Sequence, residues 1–186
     1  MQIIAYSPVY QTSVEAVCLA TASERARTDP THRTFTLNMY CEEYLAHERA
    51  LILEDSGRAH GYVLCADNFE SWMEHAAPYH KRIRELGPVY AERLARECAV
   101  YERHADRFPA HLHIDIEPGL TGGGWGGRLL DQLIADLAHD GIPGIMLGVS
   151  ATNTAAIRFY ERHGFKAIES NELSVTMGCT IEAALQ

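Results

Sequence analysis

A run of glycines between a strand-like segment and a helix-like segment most constrains how this chain can fold. Thr121-Gly122-Gly123-Gly124-Trp125-Gly126-Gly127 follows a strand-like segment at residues 110–117. Apolar residues then recur at helical spacing, namely Leu129, Leu130, Leu133, Ile134 and Leu137. Glycine has no Cβ, so a ligand can approach the backbone of such a loop, and the helix start adds unpaired N–H groups. The sequence therefore predicts a loop that binds phosphate or pyrophosphate.

Two well-known nucleotide loops fit the sequence poorly. Gly122-x-Gly124-x-x-Gly127 matches the dinucleotide fingerprint, but that fingerprint needs an acidic residue about 20 positions further on, after the next strand. The next strand-like segment, residues 145–150, ends at Ser150 without one. No Gly-Lys-Ser/Thr follows the loop, which disfavours a P-loop nucleoside triphosphatase.

Two motifs about 30 residues apart favour a third interpretation. Pro118-x-x-x-Gly122-x-Gly124-x-Gly126-x-x-Leu129-Leu130 resembles the acyl-CoA pyrophosphate loop of the GNAT superfamily of N-acetyltransferases. Asn153-x-x-Ala156-x-x-Phe159-Tyr160-Glu161-x-x-Gly164-Phe165 resembles the second signature of that superfamily. Thr121 stands where the family usually has Arg or Gln. Residues 44–50, 68–108 and 113–116 look like the acetyltransferase-like domain of animal O-GlcNAcases and its free-standing bacterial relatives.

The order of predicted elements indicates an α/β fold with a mixed sheet, in one domain over residues 1–186. The resemblance implies the GNAT fold, with a mostly antiparallel central sheet flanked by helices. Predicted strands cover residues 2–6, 50–54, 61–66, 110–117, 145–150, 166–169 and 173–181, and predicted helices cover residues 13–22, 37–46, 71–86, 89–104 and 152–163, besides the one after the glycines.

Residues 68–108 form a predicted two-helix insertion before the central strand, with a break at Gly87-Pro88. The insertion holds seven acidic and seven basic residues, as expected for an exposed helical pair with solvated charges. Alternatively, it covers the acceptor site and selects substrate through Trp72, Tyr79, Tyr90 or Tyr101.

The resemblance implies acetyl-CoA as the cofactor. By that resemblance, the pyrophosphate contacts the backbone of Gly122, Gly123, Gly124, Trp125, Gly126 and Gly127, and pantetheine pairs with the backbone of Ile114, Asp115 and Ile116. Asn153 contacts the pantetheine amide or the adenylate side, unless it serves only as a helix N-cap. Tyr160 lies on the same helix face and, by the resemblance, looks toward the CoA sulfur.

Tyr160 and Asp115 are the candidate catalytic residues. A Tyr with a pKa of ~10 can protonate a thiolate of pKa ~8.5 at a cost of roughly 2 kcal/mol, although a helical Tyr is more often a core residue. Alternation along the central strand places Asp115 on one face with His111, His113 and Glu117. Asp115 would bind or deprotonate the acceptor amine, but an ordinary carboxyl is about 9 kcal/mol too weak a base, so it needs desolvation, a water chain or a purely orienting role. His111-x-His113 has no third ligand at suitable spacing, which argues against zinc.

The composition limits which classes of partner and which cellular location are expected. A formal net charge of −9 disfavours nucleic acid, and no apolar run reaches the length of a membrane span. Five scattered cysteines and an N-terminus without a secretory signal favour free thiols in the cytoplasm.

The sequence thus predicts an acetyl-CoA-dependent N-acetyltransferase in which a small-molecule or peptide amine attacks directly in a ternary complex, without a relay through Cys179. The alternative is an acyl-CoA-binding module without turnover, and the oligomeric state stays open, a homodimer included.

Overall fold

The computed structural model describes residues 1–185, which are built around one seven-stranded sheet. The strands are β1 (Gln2–Ala5), β2 (Arg49–Asp55), β3 (Arg58–Ala66), β4 (Ala110–Ile116), β5 (Gly144–Ser150), β6 (Lys166–Ser170) and β7 (Ser174–Thr180). Their order in the sheet is β1-β2-β3-β4-β5-β7-β6. Neighbours pair antiparallel except β4 and β5, which run parallel. The predicted mixed, mostly antiparallel sheet is confirmed.

Helices cover both faces of the sheet. They are α1 (Gln11–Thr21), α2 (Glu24–Thr28), α3 (Pro30–Leu37), α4 (Glu43–Leu45), α5 (Phe69–His75), α6 (Ala77–Glu85), α7 (Pro88–His104), α8 (Trp125–His139), α9 (Thr154–Arg162) and α10 (Ile181–Ala184). Among residues 1–185, no helix has both the length and the apolar character that a membrane span requires.

The segment between β3 and β4 contains three helices, where the sequence predicts two. The predicted helix over residues 71–86 is interrupted at Ala76, so that α5 ends and α6 begins there. Pro78 explains the interruption, because proline has no N–H to donate and its ring clashes with the carbonyl four residues earlier. Pro78 is tolerated in the first turn of α6, where a backbone N–H has no intrahelical partner in any case.

The helix predicted from residue 37 begins earlier, at Pro30. Asp29 is its N-cap, and its carboxylate accepts hydrogen bonds from the backbone N–H groups of Thr31 and His32. The predicted start at residue 37 is therefore wrong, although Asp29-Pro30 is a typical start signal. The helix continues through a π-helical turn at Asn38–Glu42 into α4.

The inserted helices form part of the core and are not a solvated pair. Trp72 of α5 and Tyr101 of α7 are buried, and their rings lie 4.5 Å and 4.4 Å from the ring of His111 on β4. This core, on the α1 side of the sheet, covers the β4 face that carries His111, His113 and Asp115. The other face of the sheet packs against the buried stripe of α8, which contains Leu129, Leu130, Leu133, Ile134 and Leu137 as predicted.

Candidate functional site

The glycine loop lies between β4 and α8, as the sequence predicts. Gly124 is the N-cap of α8 and has a left-handed backbone with φ 77°, and Gly122 has φ 85°. Non-glycine residues rarely adopt such angles, so this loop shape depends on glycine. A Cβ at either position would meet no atom within 4 Å, so the space beside the loop is open to a ligand.

The backbone donors of this loop are unpaired. Within residues 1–185, the N–H groups from Gly122 to Gly127 donate no hydrogen bond, and the first bond of α8 runs from the Arg128 N–H to the Gly124 carbonyl. No side chain caps the helix. The loop therefore presents free donors at the positive end of the α8 dipole, which suits a phosphate or pyrophosphate group.

Gly126 and Gly127 have a second role, because they let α8 approach α9 closely. A Cβ on Gly126 would lie 3.6 Å from the Phe159 ring, and one on Gly127 would lie 3.2 Å from Nε2 of His163. The two sequence motifs are therefore in direct contact in the fold. Phe159 and His163 thus pack against the first turn of α8, directly after the glycine loop.

β4 and β5 separate soon after they meet. They pair only at Ala110 with Ile145 and His111 with Met146, within the part of the chain that the structure describes. β4 remains paired with β3 on its other edge as far as Ile116, and β5 remains paired with β7 as far as Ser150. From residue 112 onward, the edge of β4 that faces β5 thus has backbone groups without partners. Ile114, Asp115 and Ile116 lie on this open stretch, and it leads to the glycine loop.

A cleft of about 690 Å³ opens on the α1 side of the separated strands. His113 of β4 and the end of β5 form one side, while α7 and β7 form others. Of the four insertion aromatics singled out in the sequence, Tyr101 lines this cleft, and Trp72, Tyr79 and Tyr90 do not. The insertion thus contributes directly to the cleft through α7.

Tyr160 lies on the opposite side of the sheet from the cleft. Its ring is 8% exposed and packs against Phe159 and Phe165, in the core that includes Ile114 and Ile116. Its hydroxyl has no hydrogen-bond partner in residues 1–185. Burial raises the pKa of Tyr160, and the negative charge of Asp115 raises that pKa further. Tyr160 is therefore a weaker acid than a free tyrosine. Its hydroxyl can still donate a hydrogen bond to a ligand, because no other group in the described residues uses it.

Asp115 is held by a tyrosine and does not line the cleft. The Tyr62 hydroxyl donates a hydrogen bond of 2.5 Å to Oδ2 of Asp115. Burial raises the pKa of Asp115 to about 6, while the hydrogen bond from Tyr62 acts in the opposite direction. Asp115 can therefore change its protonation state close to neutral pH, which an ordinary aspartate does not do.

The cleft contains polar residues that the sequence analysis did not assign to a site. Glu97 of α7 accepts hydrogen bonds from the hydroxyls of Tyr40, at 3.2 Å, and Tyr101, at 3.5 Å. Burial raises the pKa of Glu97 and lowers that of His113 to about 4, so that the His113 imidazole is neutral at pH 7. Alternation along β4 places His113 beside Asp115, but nothing in the sequence indicates that Glu97 and Tyr40 reach the same cleft.

Asn153 is the N-cap of α9. Its Oδ1 accepts a hydrogen bond of 3.1 Å from the Ala156 N–H. Replacing Asn153 with Ala is expected to lower the free energy of unfolding by about 1 kcal/mol, whereas Asn153→Ser should keep most of the cap. Chemical denaturation measures this change. If both variants lose acetyl-CoA affinity equally, Asn153 also contacts the cofactor; if only Asn153→Ala loses affinity, its role is confined to the cap.

A family model and solved structures both show similarity to this chain. The model of the acetyltransferase (GNAT) family matches residues 19–165. The crystal structure of SsHAT superposes with a TM-score of 0.84 and 24% sequence identity, covering 97% of this chain and 98% of that one. The ribosomal-protein-S18-alanine N-acetyltransferase of Escherichia coli superposes with a TM-score of 0.57 and 18% identity, covering 97% and 93% of the two chains. At these identities, the structural matches establish a shared fold.

One curated relative matches over a short region. A mycothiol acetyltransferase of Streptomyces scabiei is 41% identical over 58 residues, which are 31% of this chain. The match spans 19% of the length of that relative.

Proposed function

This chain belongs to the acetyltransferase (GNAT) family, and from that premise we propose that it transfers an acetyl group from acetyl-CoA to an amine in a ternary complex. The observation that carries the proposal is the open edge of β4, which leads from the cleft to the unpaired N–H groups of the glycine loop. The amides of an extended ligand would pair with the open edge of β4. A pyrophosphate at the end of that ligand would accept hydrogen bonds from the N–H groups of the glycine loop.

We assign the pyrophosphate and the pantetheine of acetyl-CoA to two backbone surfaces. The N–H groups from Gly122 to Gly127 would hold the pyrophosphate, and the backbone at Ile114, Asp115 and Ile116 would pair with the pantetheine amides. When bound, acetyl-CoA supplies a thioester whose acetyl group is activated toward an amine. Because β4 and β5 separate, groups on both faces of the sheet border the gap in which the thioester would lie.

Tyr160 would act on the sulfur side of that gap. Its raised pKa makes full proton donation to a thiolate costlier than for a free tyrosine. We therefore assign Tyr160 as a hydrogen-bond donor that stabilises negative charge on the leaving sulfur, an interaction that strengthens as that charge develops.

Asp115 and His113 would act on the amine side. With a pKa of about 6, Asp115 remains roughly 6 kcal/mol short of deprotonating an ammonium of pKa ~10.4, compared with about 9 kcal/mol for an ordinary carboxyl. The desolvation of Asp115 therefore closes part of the gap in basicity between a carboxylate and an amine. We propose that Asp115 receives the proton through water, while neutral His113, which lines the cleft, accepts a hydrogen bond from the amine.

No cysteine is placed for a covalent relay. Cys179 is buried on β7, where its Sγ lies 3.9 Å from the His163 carbonyl oxygen, and burial raises the pKa of its thiol. Cys18, Cys41 and Cys65 are buried as well, and in residues 1–185 no cysteine lines the cleft. Direct attack by the amine is therefore favoured over an acyl-enzyme. The five free thiols also fit a reducing compartment, and we propose the cytoplasm.

The pH dependence of kcat/KM tests the role of Asp115. A base whose pKa is about 6 is protonated as the pH falls through 6, so kcat/KM should fall on that limb. Tyr62→Phe removes a hydrogen bond that lowers the pKa of Asp115, so the limb should move above 6. Asp115→Asn should abolish the limb. If the limb lies near 4 and persists in Asp115→Asn, His113 is the base instead.

A panel of amines tests the function itself. Purified chain is mixed with acetyl-CoA and small amines, peptides or amino sugars, and released thiol is measured. Amine-dependent release supports acetyl transfer. The second candidate, a module that binds acyl-CoA without turnover, predicts tight binding of acetyl-CoA and no release with any amine.

A further inference from the structure

The cleft differs in charge from the rest of the chain. Its guanidinium and carboxyl side chains are Arg93, Arg96 and Glu97, all on α7, so two basic groups face one acidic group. The whole chain has a formal net charge of −9. A basic opening on an acidic protein attracts an anion locally, because field lines concentrate in clefts.

The two arginines are held differently. Arg93 donates a hydrogen bond of 3.0 Å to the Tyr40 hydroxyl, and its guanidinium lies 5.0 Å from the centre of the Phe35 ring. Arg96 is exposed, and within residues 1–185 it forms neither a salt bridge nor a side-chain hydrogen bond. Arg96 therefore keeps all its donors available to a ligand, and a guanidinium suits a carboxylate or a phosphate.

Glu97 places a carboxyl group in the same cleft; burial raises its pKa, and an ammonium bound beside it would favour the ionised form. Its carboxylate accepts hydrogen bonds from the hydroxyls of Tyr40 and Tyr101, which fix its position. An ionised carboxylate has about four acceptor positions, so two hydroxyl donors leave capacity for an ammonium group. Within one cleft, a fixed acceptor for an ammonium thus lies one residue along α7 from an unpaired guanidinium.

We propose that the acceptor is an amine that also carries an anionic group, with Glu97 recognising the ammonium and Arg96 the anion. The inference rests on the proposed acetyl transfer and specifies the substrate class of that site. The negative net charge of the chain alone would favour a cationic acceptor. The arginines of the cleft instead favour an acceptor that also carries an anionic group.

Matched pairs of acceptors test this assignment. Acetyl transfer is measured with 3-aminopropanoate against propylamine, and with 2-aminoethyl phosphate against ethanolamine. The wild type is expected to favour the anionic member of at least one pair by about tenfold or more in kcat/KM, the scale of one hydrogen-bonded contact to a charge. The two pairs separate a carboxylate source from a phosphate source.

Variants locate the effect. Arg96→Ala should reduce the preference for the anionic amine, mainly through KM, and Arg96→Lys should restore part of it. Glu97→Gln should lower kcat/KM for both members of each pair. Lys81→Ala removes a positive charge from α6 at a position that does not line the cleft, and it should leave the preference unchanged.

Two results would overturn the inference. One is a wild type that uses neutral and anionic amines equally. The other is an Arg96→Ala variant that retains the full preference. Absence of turnover with every amine overturns the proposed function and this inference with it, whereas turnover without anion preference overturns the inference alone.

Discussion

Replacing Tyr160 with Phe is expected to lower kcat by about 10²-fold, the scale of losing one hydrogen-bond donor to a developing anion. The substitution keeps the ring that packs against Phe165 and removes a hydroxyl that has no partner in the described residues. Affinity for acetyl-CoA should change little, because the lost contact strengthens only as charge develops on the sulfur. Steady-state kinetics and equilibrium binding of the same preparation measure both effects.

Tyr90→Phe is the matched control. Tyr90 is also 8% exposed, but it lies on α7 outside the cleft and away from α9. Its loss of a hydroxyl should leave kcat near the wild-type value. Equal turnover by Tyr160→Phe and the wild type would assign Tyr160 to packing alone.

Replacing Gly124 with Val is expected to abolish the stabilisation that acetyl-CoA gives the fold. Ligand binding to the native state alone contributes about 2.7 kcal/mol at a hundredfold excess over Kd. A β-branched residue rarely adopts φ 77°, so the loop must change shape, and its side chain would occupy the open space beside the N–H donors. Melting curves with and without acetyl-CoA measure the loss, and NAD and ATP should give no shift with the wild type.

Gly141→Val separates loss of binding from backbone strain. Gly141 follows α8 at φ 74°, and a Cβ there would also meet no atom within 4 Å, but it is remote from the loop. Its variant should melt at a lower temperature and retain the acetyl-CoA shift. A shift that survives in Gly124→Val would show that the loop does not bind the pyrophosphate.

The parts of the fold predicted from sequence are those determined by local signals. The place of the glycine loop between a strand and a helix, the apolar stripe of α8 and the N-cap residue Asn153 are set by neighbouring residues, and the structure confirms those positions. Two errors, at Pro30 and Pro78, came from giving hydrophobic periodicity priority over proline. Both residues occupy first-turn positions of helices.

The cleft and the contact that holds Asp115 could not be predicted in the same way, because distant segments make both. Glu97 meets Tyr40 across 57 positions of sequence, and Tyr62 meets Asp115 across 53. Seven acidic and seven basic residues in the insertion suggested solvated faces, yet Glu97 points into the cleft. Which charged residue of an amphipathic helix becomes partly buried depends on tertiary packing, which helical periodicity does not specify.

The most direct test of the central claim is the mass of the acceptor after incubation with the chain and acetyl-CoA labelled with ¹³C in the acetyl group. Acetyl transfer predicts that an amine gains one labelled acetyl group for each thiol released. It also predicts that Tyr160→Phe forms this product about 10²-fold more slowly than the wild type. Stable binding of acetyl-CoA, with no labelled product from any amine of the panel, would contradict the account and favour the binding module.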